Sequence, residues 1–441
     1  MAYTVPTLAQ AKTALAARLN DAAKTRWIDA ELGVYLTEAL RVWNTWTLHW
    51  RAAATLLTVQ NQAFYDLSTS FATLRGMTVT NWQAVQQIQY MLLEPPTPTA
   101  WTGTDQFTLA QVSQALQRRR DLFLQLTGAV LTRTVTAYGA VATGKLDLDE
   151  SVLLVHRAAW RPTATQFLRV LRRTDEWSGD HFRPTWPTAG TPVGYSTAGT
   201  PPLQVQLMPP PSLAGELDLI SVTRGDQFTD PAVSALLGVP DDWAWVVIYG
   251  ALADLLGGDG LQIDPMRAAY CEQRWQQGTQ AAQHASVVIS ARISGVPVLI
   301  GSLADADTYT STWQLLAGTP VRVLTAGQNL LATWPLANAD NLSVDLEVVR
   351  NAPIPALDTD VLQVGADLYD TILDIAQATA TFKEGGQQLQ QAQGLLQRAA
   401  SVAGVELAIQ QASQPARAPL LEQTSVDTYA APRAVDPVEV P

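Results

Sequence analysis

The chain has 441 residues, 28 basic and 40 acidic, with a formal net charge of −12. That acidic balance excludes a protein that wraps nucleic acid, which needs a basic footprint. The single cysteine, Cys271, excludes internal disulfides and cysteine-based zinc clusters.

Hydrophobic residues make up 47% and charged residues only 15%, against about 25% charged in an ordinary soluble domain. A surface poor in charge that keeps 14 tryptophans points to burial against other chains. The length suits two or three domains. No apolar run reaches about 18 residues, so no membrane span is expected. The first residues lack the basic and apolar regions of a secretory signal. The expectation is a soluble protein made in a reducing compartment.

Thr7 reads as the N-cap of a helix over 7–20. A second helix is predicted from Ile28 to Thr47, with an apolar stripe through Leu32, Leu36, Ala39, Leu40 and Trp43. Residues 54–67 read as a hairpin around a polar turn, and prolines 95, 96 and 98 as a loop. A helix follows over 108–127. Residues 129–136 and 151–158 read as strands about a Gly/Asp turn, and 164–177 as helix. The proline-rich stretch 183–202 reads as irregular. Strands are predicted at 203–208 and 216–222, each with one buried face.

A helical stretch over 241–286 is broken by the glycines of 257–260 and restarts at Pro265. Strands at 320–325, 329–334 and 343–349 precede a helix from Asp360 to Phe382. Gly385-Gly386 ends it, and a Gln-rich helix runs to Ser413. A strand, proline turn, helix, glycine and helix thus occur twice, about 125 residues apart. The fold class expected is α+β, predominantly helical, with inserted small antiparallel sheets and an internal duplication. The modules expected are 1–290, 291–413 and an extended proline-rich arm, 414–441.

Nothing in the sequence has the look of an active site. The four histidines stand apart, no GxSxG occurs, and Cys271 reads as a buried thiol. The glycines at 257–260 lack the GK[ST] of a phosphate loop. No catalytic, cofactor-binding or metal residue is assigned, and no cofactor is expected. The informative residues are tryptophans and arginines. Trp27, Trp43 and Trp46 read first as core and second as interface anchors. The run Arg118, Arg119 and Arg120 reads first as a solvated or salt-bridged face and second as a partner contact. In the arm, Leu420, Leu421 and Tyr429 are apolar residues that a merely solvating tail does not need.

Certain motifs, in their order, resemble one family. These are Trp27…Glu31-Leu32…Leu36-Thr37-Glu38-Ala39-Leu40-Arg41-Val42-Trp43-Asn44, Phe64-Tyr65-Asp66-Leu67, Trp160, Asp175-Glu176-Trp177, Pro192…Tyr195, and LQVQLMPPPSLAGELDLISV. GALADLLGGDGLQIDPMRAAYCEQRW, VVRNAPIPALDTD and TATFKEGGQQL follow. Together, over roughly residues 5–413, they look like the head-to-tail adaptor proteins of tailed bacteriophages. The resemblance implies an adaptor-like bundle and a non-enzymatic virion component of the neck, made in the host cytoplasm. It implies a ring, usually of twelve subunits, that binds the portal and a tail or nozzle protein. DNA would cross its channel without specific binding, and no membrane is involved. The alternative is a tail tube or nozzle component, which should be dominated by strands. A wall-degrading hydrolase would need a carboxylate pair or metal cluster, of which the sequence has no signature. Residues 414–441 are expected to dock on an adjacent subunit or on the portal.

Overall fold

Threonines 7, 80 and 108 each stand three residues before a glutamine, and each closes a capping box. The hydroxyl accepts from the N–H of Gln10, Gln83 or Gln111, and the glutamine side chain accepts from the threonine N–H. These starts belong to three helices of a computed structural model that describes residues 5–92, 107–138, 144–162, 168–175, 187–198, 203–228, 234–258, 263–309 and 313–413.

The first helices are α1 (Leu8–Arg18), α2 (Asp29–Thr47), the single turns α3 (Leu67–Ser70) and α4 (Ala72–Arg75), α5 (Asn81–Met91) and α6 (Leu109–Thr127). Then come α7 (Ala244–Gly257), α8 (Pro265–His284), α9 (Leu303–Tyr309), α10 (Ala366–Thr381) and α11 (Gly386–Ser413). The first strands are β1 (Arg51–Leu57), β2 (Phe64–Asp66), β3 (Thr132–Tyr138), β4 (Lys145–Asp147), β5 (Val152–Pro162), β6 (Arg169–Val170), β7 (Arg172–Arg173), β8 (Gly194–Ala198), β9 (Gln204–Met208) and β10 (Gly215–Thr223). The later strands are β11 (Val288–Ile293), β12 (Val296–Pro297), β13 (Leu299–Ser302), β14 (Ala317–Gly318), β15 (Arg322–Ala326), β16 (Leu330–Trp334), β17 (Leu336–Ala337) and β18 (Ser343–Val349).

The fold is mixed α and β, with 44% of the described residues helical and 26% in strands, and with several small sheets. The helices share one core. Helix α7 is buried on every side, from Ala244 to Ala253, as its unbroken apolar sequence requires. It packs on α8, α6, α5 and α2. Gly278 of α8 makes the closest approach possible, because a Cβ there would run into Val246 and Trp245 of α7. A Gly278→Ala change would force the two helices apart, at about 1–3 kcal/mol. Pro265 sits in the first turn of α8, where its missing N–H costs nothing, and Asp264 caps that turn.

Two small sandwiches lean on this core. One joins sheet β1-β18-β11-β12 to sheet β13-β15-β16-β2 through Leu56, Val288, Val344 and Leu346 on one side and Tyr65, Val323 and Leu331 on the other. The second joins sheet β3-β10-β5-β6 to sheet β4-β9-β8-β7 through Val155, Trp160 and Leu217 against Tyr195, Val205 and Leu207. Strand β10 also sends Ile220 and Val222 into the helical core.

Several sequence expectations are corrected. Residues 54–67 do not form a hairpin: β1 pairs with β18, and β2 with β16. Strands β3 and β5 do not pair with each other, because β10 lies between them. Being central, β10 is buried on both faces rather than one. Residues 169–173 are short strands, not helix, since β6 pairs with β5 at the edge of one sheet and β7 with β8 at the edge of another. Residues 194–198 of the proline-rich stretch are a strand, paired with β9. The helix expected from Asp360 begins at Ala366. The six residues before it bind α1 instead, with Leu8 N–H donating to Asp360 O at 2.9 Å. Helix α5 and strands β11 to β13 are additional.

A strand followed by two helices of 14 residues or more occurs twice among the described residues, as β10, α7, α8 and as β18, α10, α11. Elements from both sides of residue 290 share a sheet, as β1 with β18, and share the helical core, as α2 with α10.

Candidate functional site

The residues singled out in the sequence lie in different surroundings. Trp27 and Trp43 are 4% and 0% exposed and belong to the helical core, so neither is free to anchor a partner. The Trp27 indole N–H donates to Ala380 O at 3.2 Å. Trp46 is partly buried, with the Arg274 guanidinium 5.8 Å from its ring.

The arginine run divides by direction, as three consecutive helical residues must. Arg118 is exposed and ion-paired to Asp254 at 2.6 Å. Arg119 bridges Asp254 and Glu272 at 2.6 and 2.9 Å and lies 4.7 Å over the Trp275 ring. Arg120 is fully buried, donating to Asp121, to Asp226 O at 2.6 Å and to Gly225 O at 3.3 Å. Arg119 and Arg120 hold α6 to its own neighbours, the salt-bridged arrangement that is the first reading of the run. Leu420, Leu421 and Tyr429 lie outside the described residues.

One polar cluster was not legible as a site. It forms where the C-terminal half of α2, the segment after α4, the 3-10 turn Asp241–Trp243 and the end of β18 converge. Asp241 accepts from Thr78 N–H and hydroxyl, both at 2.6 Å, and from Val79 N–H at 2.9 Å. Asp242 accepts from Asn44 Nδ2 at 2.6 Å and from Ala352 N–H at 3.0 Å. Asn44 also donates to Arg350 O at 2.9 Å and accepts from Trp50 N–H at 3.1 Å, so one amide ties three elements. Asn351 donates to Gly76 O at 2.7 Å, and Arg75 to Val349 O. Burial pushes the Asp242 carboxyl up to about 6, against its hydrogen bonds and the charges of Arg41 and Arg75.

A cleft of about 430 Å³ opens beside this cluster. Arg41, Thr78, Asp241, Arg350 and Asn351 supply its polar wall, and Leu74, Pro353 and Ile354 its apolar one. The Nε atoms of Arg41 and Arg350 are buried there without a hydrogen-bond partner among the described residues. Burial lowers the Arg41 guanidinium below its ordinary value, while Asp241, Asp242 and Glu38 hold it up. No histidine, cysteine or serine lines the cleft.

A second buried set has a packing role. Arg274, 4% exposed, lies 4.5 Å over Trp245 and 5.3 Å over Tyr249. Glu38 nearby accepts from Gln87 and from Thr379 at 3.1 Å, and burial raises its pKa against the pull of Arg274. Burial also pushes the Cys271 thiol well above its ordinary value, which makes it a poor nucleophile.

The signals that could have pointed to the cluster are Pro240-Asp241-Asp242-Trp243 ahead of an apolar helix, a run that reads as a helix start, and Arg41, a lone arginine on α2 off its apolar stripe. Among the described residues, no group of three or more histidine, cysteine and acidic side chains is placed to hold a metal ion. Among them, too, no helix is long and apolar enough to cross a membrane. No known family model matches the chain, and no curated protein is significantly similar to it.

Proposed function

We propose that the chain is a non-enzymatic virion subunit that assembles into a closed ring between a phage portal and the tail, lining the channel through which DNA passes. The observation that carries this reading is a pair of unlike edge strands. β1 and β3 are each seven residues long and end different sheets, with no strand on their outer sides among the described residues. Both turn apolar side chains outward, Leu57 at 53% and Val135 at 49% exposure. Long open edges pair with other chains. A ring needs two different patches on every subunit, because its contacts are heterologous.

The ordered adaptor-like motifs add support, since they supply α2, β9, β10, α7, α8 and the start of α11. The excess of helix over strand favours an adaptor over a tube subunit. The net charge of −12 and the acidic partners of Arg118 and Arg119 suit a wall over which DNA slides without sticking. The doubled order of strand, helix and helix is the pattern an internal duplication leaves, and it belongs to this proposal.

Sedimentation and native mass of the chain, alone and with a purified portal ring, test the reading. A ring of fixed copy number is expected, on its own or on the portal template. A chain that stays monomeric under both conditions overturns it.

A further inference from the structure

The two open edges offer their spare main-chain groups on a definite set of residues. In β1 the even-numbered residues bond to β18, since Arg350 N–H donates to Trp50 O and Thr58 N–H to Leu342 O. Ala53, Thr55 and Leu57 therefore turn their N–H and C=O outward. In the other sheet Leu171 N–H donates to Ala158 O, which turns the even residues of β5 toward β6 and the odd ones toward β10. Alternation across β10 then leaves the even residues of β3 bonded to β10, with Arg133, Val135 and Ala137 facing out. Leu131, the preceding odd residue, fits the series. Its N–H and C=O go to the Asn329 side chain at 2.8 and 2.9 Å, not to β10. Among the described residues none bonds to the outward groups of the other six.

An open edge that must stay alone is guarded by lysine, proline or a bulge. These two have none of the three. β1 carries no charge from Ala52 to Leu57, and its register with β18 is unbroken. β3 carries one charge, Arg133, whose guanidinium is held inside its own sheet by Asp218 at 3.0 and 2.8 Å. Its register with β10 is unbroken too. The side chains of Ala53, Thr55, Leu57, Arg133, Val135 and Ala137 are all exposed. The other edge strands of the four-stranded sheets have four residues or fewer, too short for three such pairs.

We propose that β1 of one copy pairs antiparallel with β3 of the next, with Ala53 opposite Ala137, Thr55 opposite Val135 and Leu57 opposite Arg133. Sheets β12-β11-β18-β1 and β3-β10-β5-β6 of neighbouring copies then form one eight-stranded sheet across each subunit boundary. The match sets two alanines together where the strands meet, joins a β-branched pair, and lays Leu57 on the aliphatic stem of Arg133. The pairing rests on the ring reading, because only a heterologous contact rules out β1 on β1 and β3 on β3. It adds to that reading the partner of each edge, the strand direction and the register.

Cross-linking of the full chain tests the register. Residues opposite one another in a hydrogen-bonded pair have Cα atoms about 5.5 Å apart, within the span of a disulfide. The one native cysteine, Cys271, is buried and stays out of the reaction. A chain with Ala53→Cys and Ala137→Cys, assembled alone or on a portal ring and then oxidised, should give a ladder of linked chains on a denaturing gel without reductant. A mixture of the two single variants should give linked dimers and nothing longer, and neither single variant should link by itself. Leu57→Cys with Ala137→Cys, displaced by four residues or about 13 Å, should link at least tenfold less than the matched pair. Native mass of each sample reports ring formation separately from linkage. Rings without the ladder, a single variant that links to itself, or a displaced pair that links as well as the matched one overturns the pairing and leaves the ring reading standing. Absence of rings both alone and with portal overturns the ring reading, and the pairing with it.

Discussion

Glu31 and Lys383 meet at 2.8 Å, 352 positions apart in the chain, with 4% of each side chain exposed. The pair pins the turn after α10 onto the start of α2. Tyr35 donates to the same carboxylate oxygen at 2.6 Å. The lysine also donates to Arg26 O at 3.0 Å and lies 5.0 Å from the Trp27 ring. Lys383→Met would leave a buried carboxylate without its cation, at about 3–5 kcal/mol. Glu31→Gln combined with Lys383→Met should cost less than the two single changes added. Urea unfolding of the four chains measures this, and a single-mutant loss under about 1 kcal/mol would contradict it.

Arg118 and Arg120 lie within one turn of α6 and should respond very differently. Arg118→Ala removes an exposed pair and should change stability by less than about 1 kcal/mol. Arg120→Ala strands Asp121 and two carbonyls at a fully buried site and should cost about 3–5 kcal/mol. Denaturant midpoints of the two variants give the comparison, and equal shifts would refute it.

The pH dependence of stability follows from Asp242. Its folded pKa, about 6, lies above the ordinary 3.8, so the folded chain holds this proton more tightly than the unfolded one. The contribution is full below about pH 4 and is lost as pH rises through 6, by at most about 3 kcal/mol. Asp21 acts in the opposite direction. Backbone N–H groups of Trp27, Thr25 and Arg26 hold it down at about 2, so its contribution is lost as pH falls from about 4 through 2. Asp242→Asn should flatten the stability change between pH 4 and 7 and leave the acid limb below pH 4 in place. Unfolding free energies at four pH values test both halves.

Assembly should be sensitive to one backbone N–H. Arg350 N–H donates to Trp50 O and Thr58 N–H to Leu342 O, so the even-numbered residues of β1 bond to β18. The N–H of Ala53 then faces the open side. Ala53→Pro removes only that donor, a change edge strands tolerate. The subunit should still fold, with its melting point within a few degrees, while ring formation weakens at least tenfold in native mass titrations. Rings of unchanged stability would show that β1 is not a lateral contact.

What could be read from the sequence is largely what is local. Thr7, Pro265 and Gly385 act on their own neighbours, and the helix ends they mark came out within a few residues. Pairing is not local. β1 reads as half of a hairpin with β2, yet its partner lies nearly 300 residues on, and only the assembled fold selects it. The arginines of 169–173 fall at spacings that also suit a helix, and a sheet margin decided otherwise. The cleft was illegible for the same reason. Arg41 is visible as an arginine of α2, but its surroundings depend on 72–78, 241 and 350–354 arriving together.

The pairing of β1 with β18 also sets a schedule for synthesis. A ribosome adding about 5–20 residues per second needs about 15–60 seconds to go from Leu57 to Ser343, and longer to reach α11. For that interval the part of α2 that packs on α10 and α11, and the edge of β1 that bonds to β18, have no final partner. The chain therefore cannot complete its fold from the N-terminus forward in finished pieces: α2 and β1 wait for β18 and the last two helices to emerge.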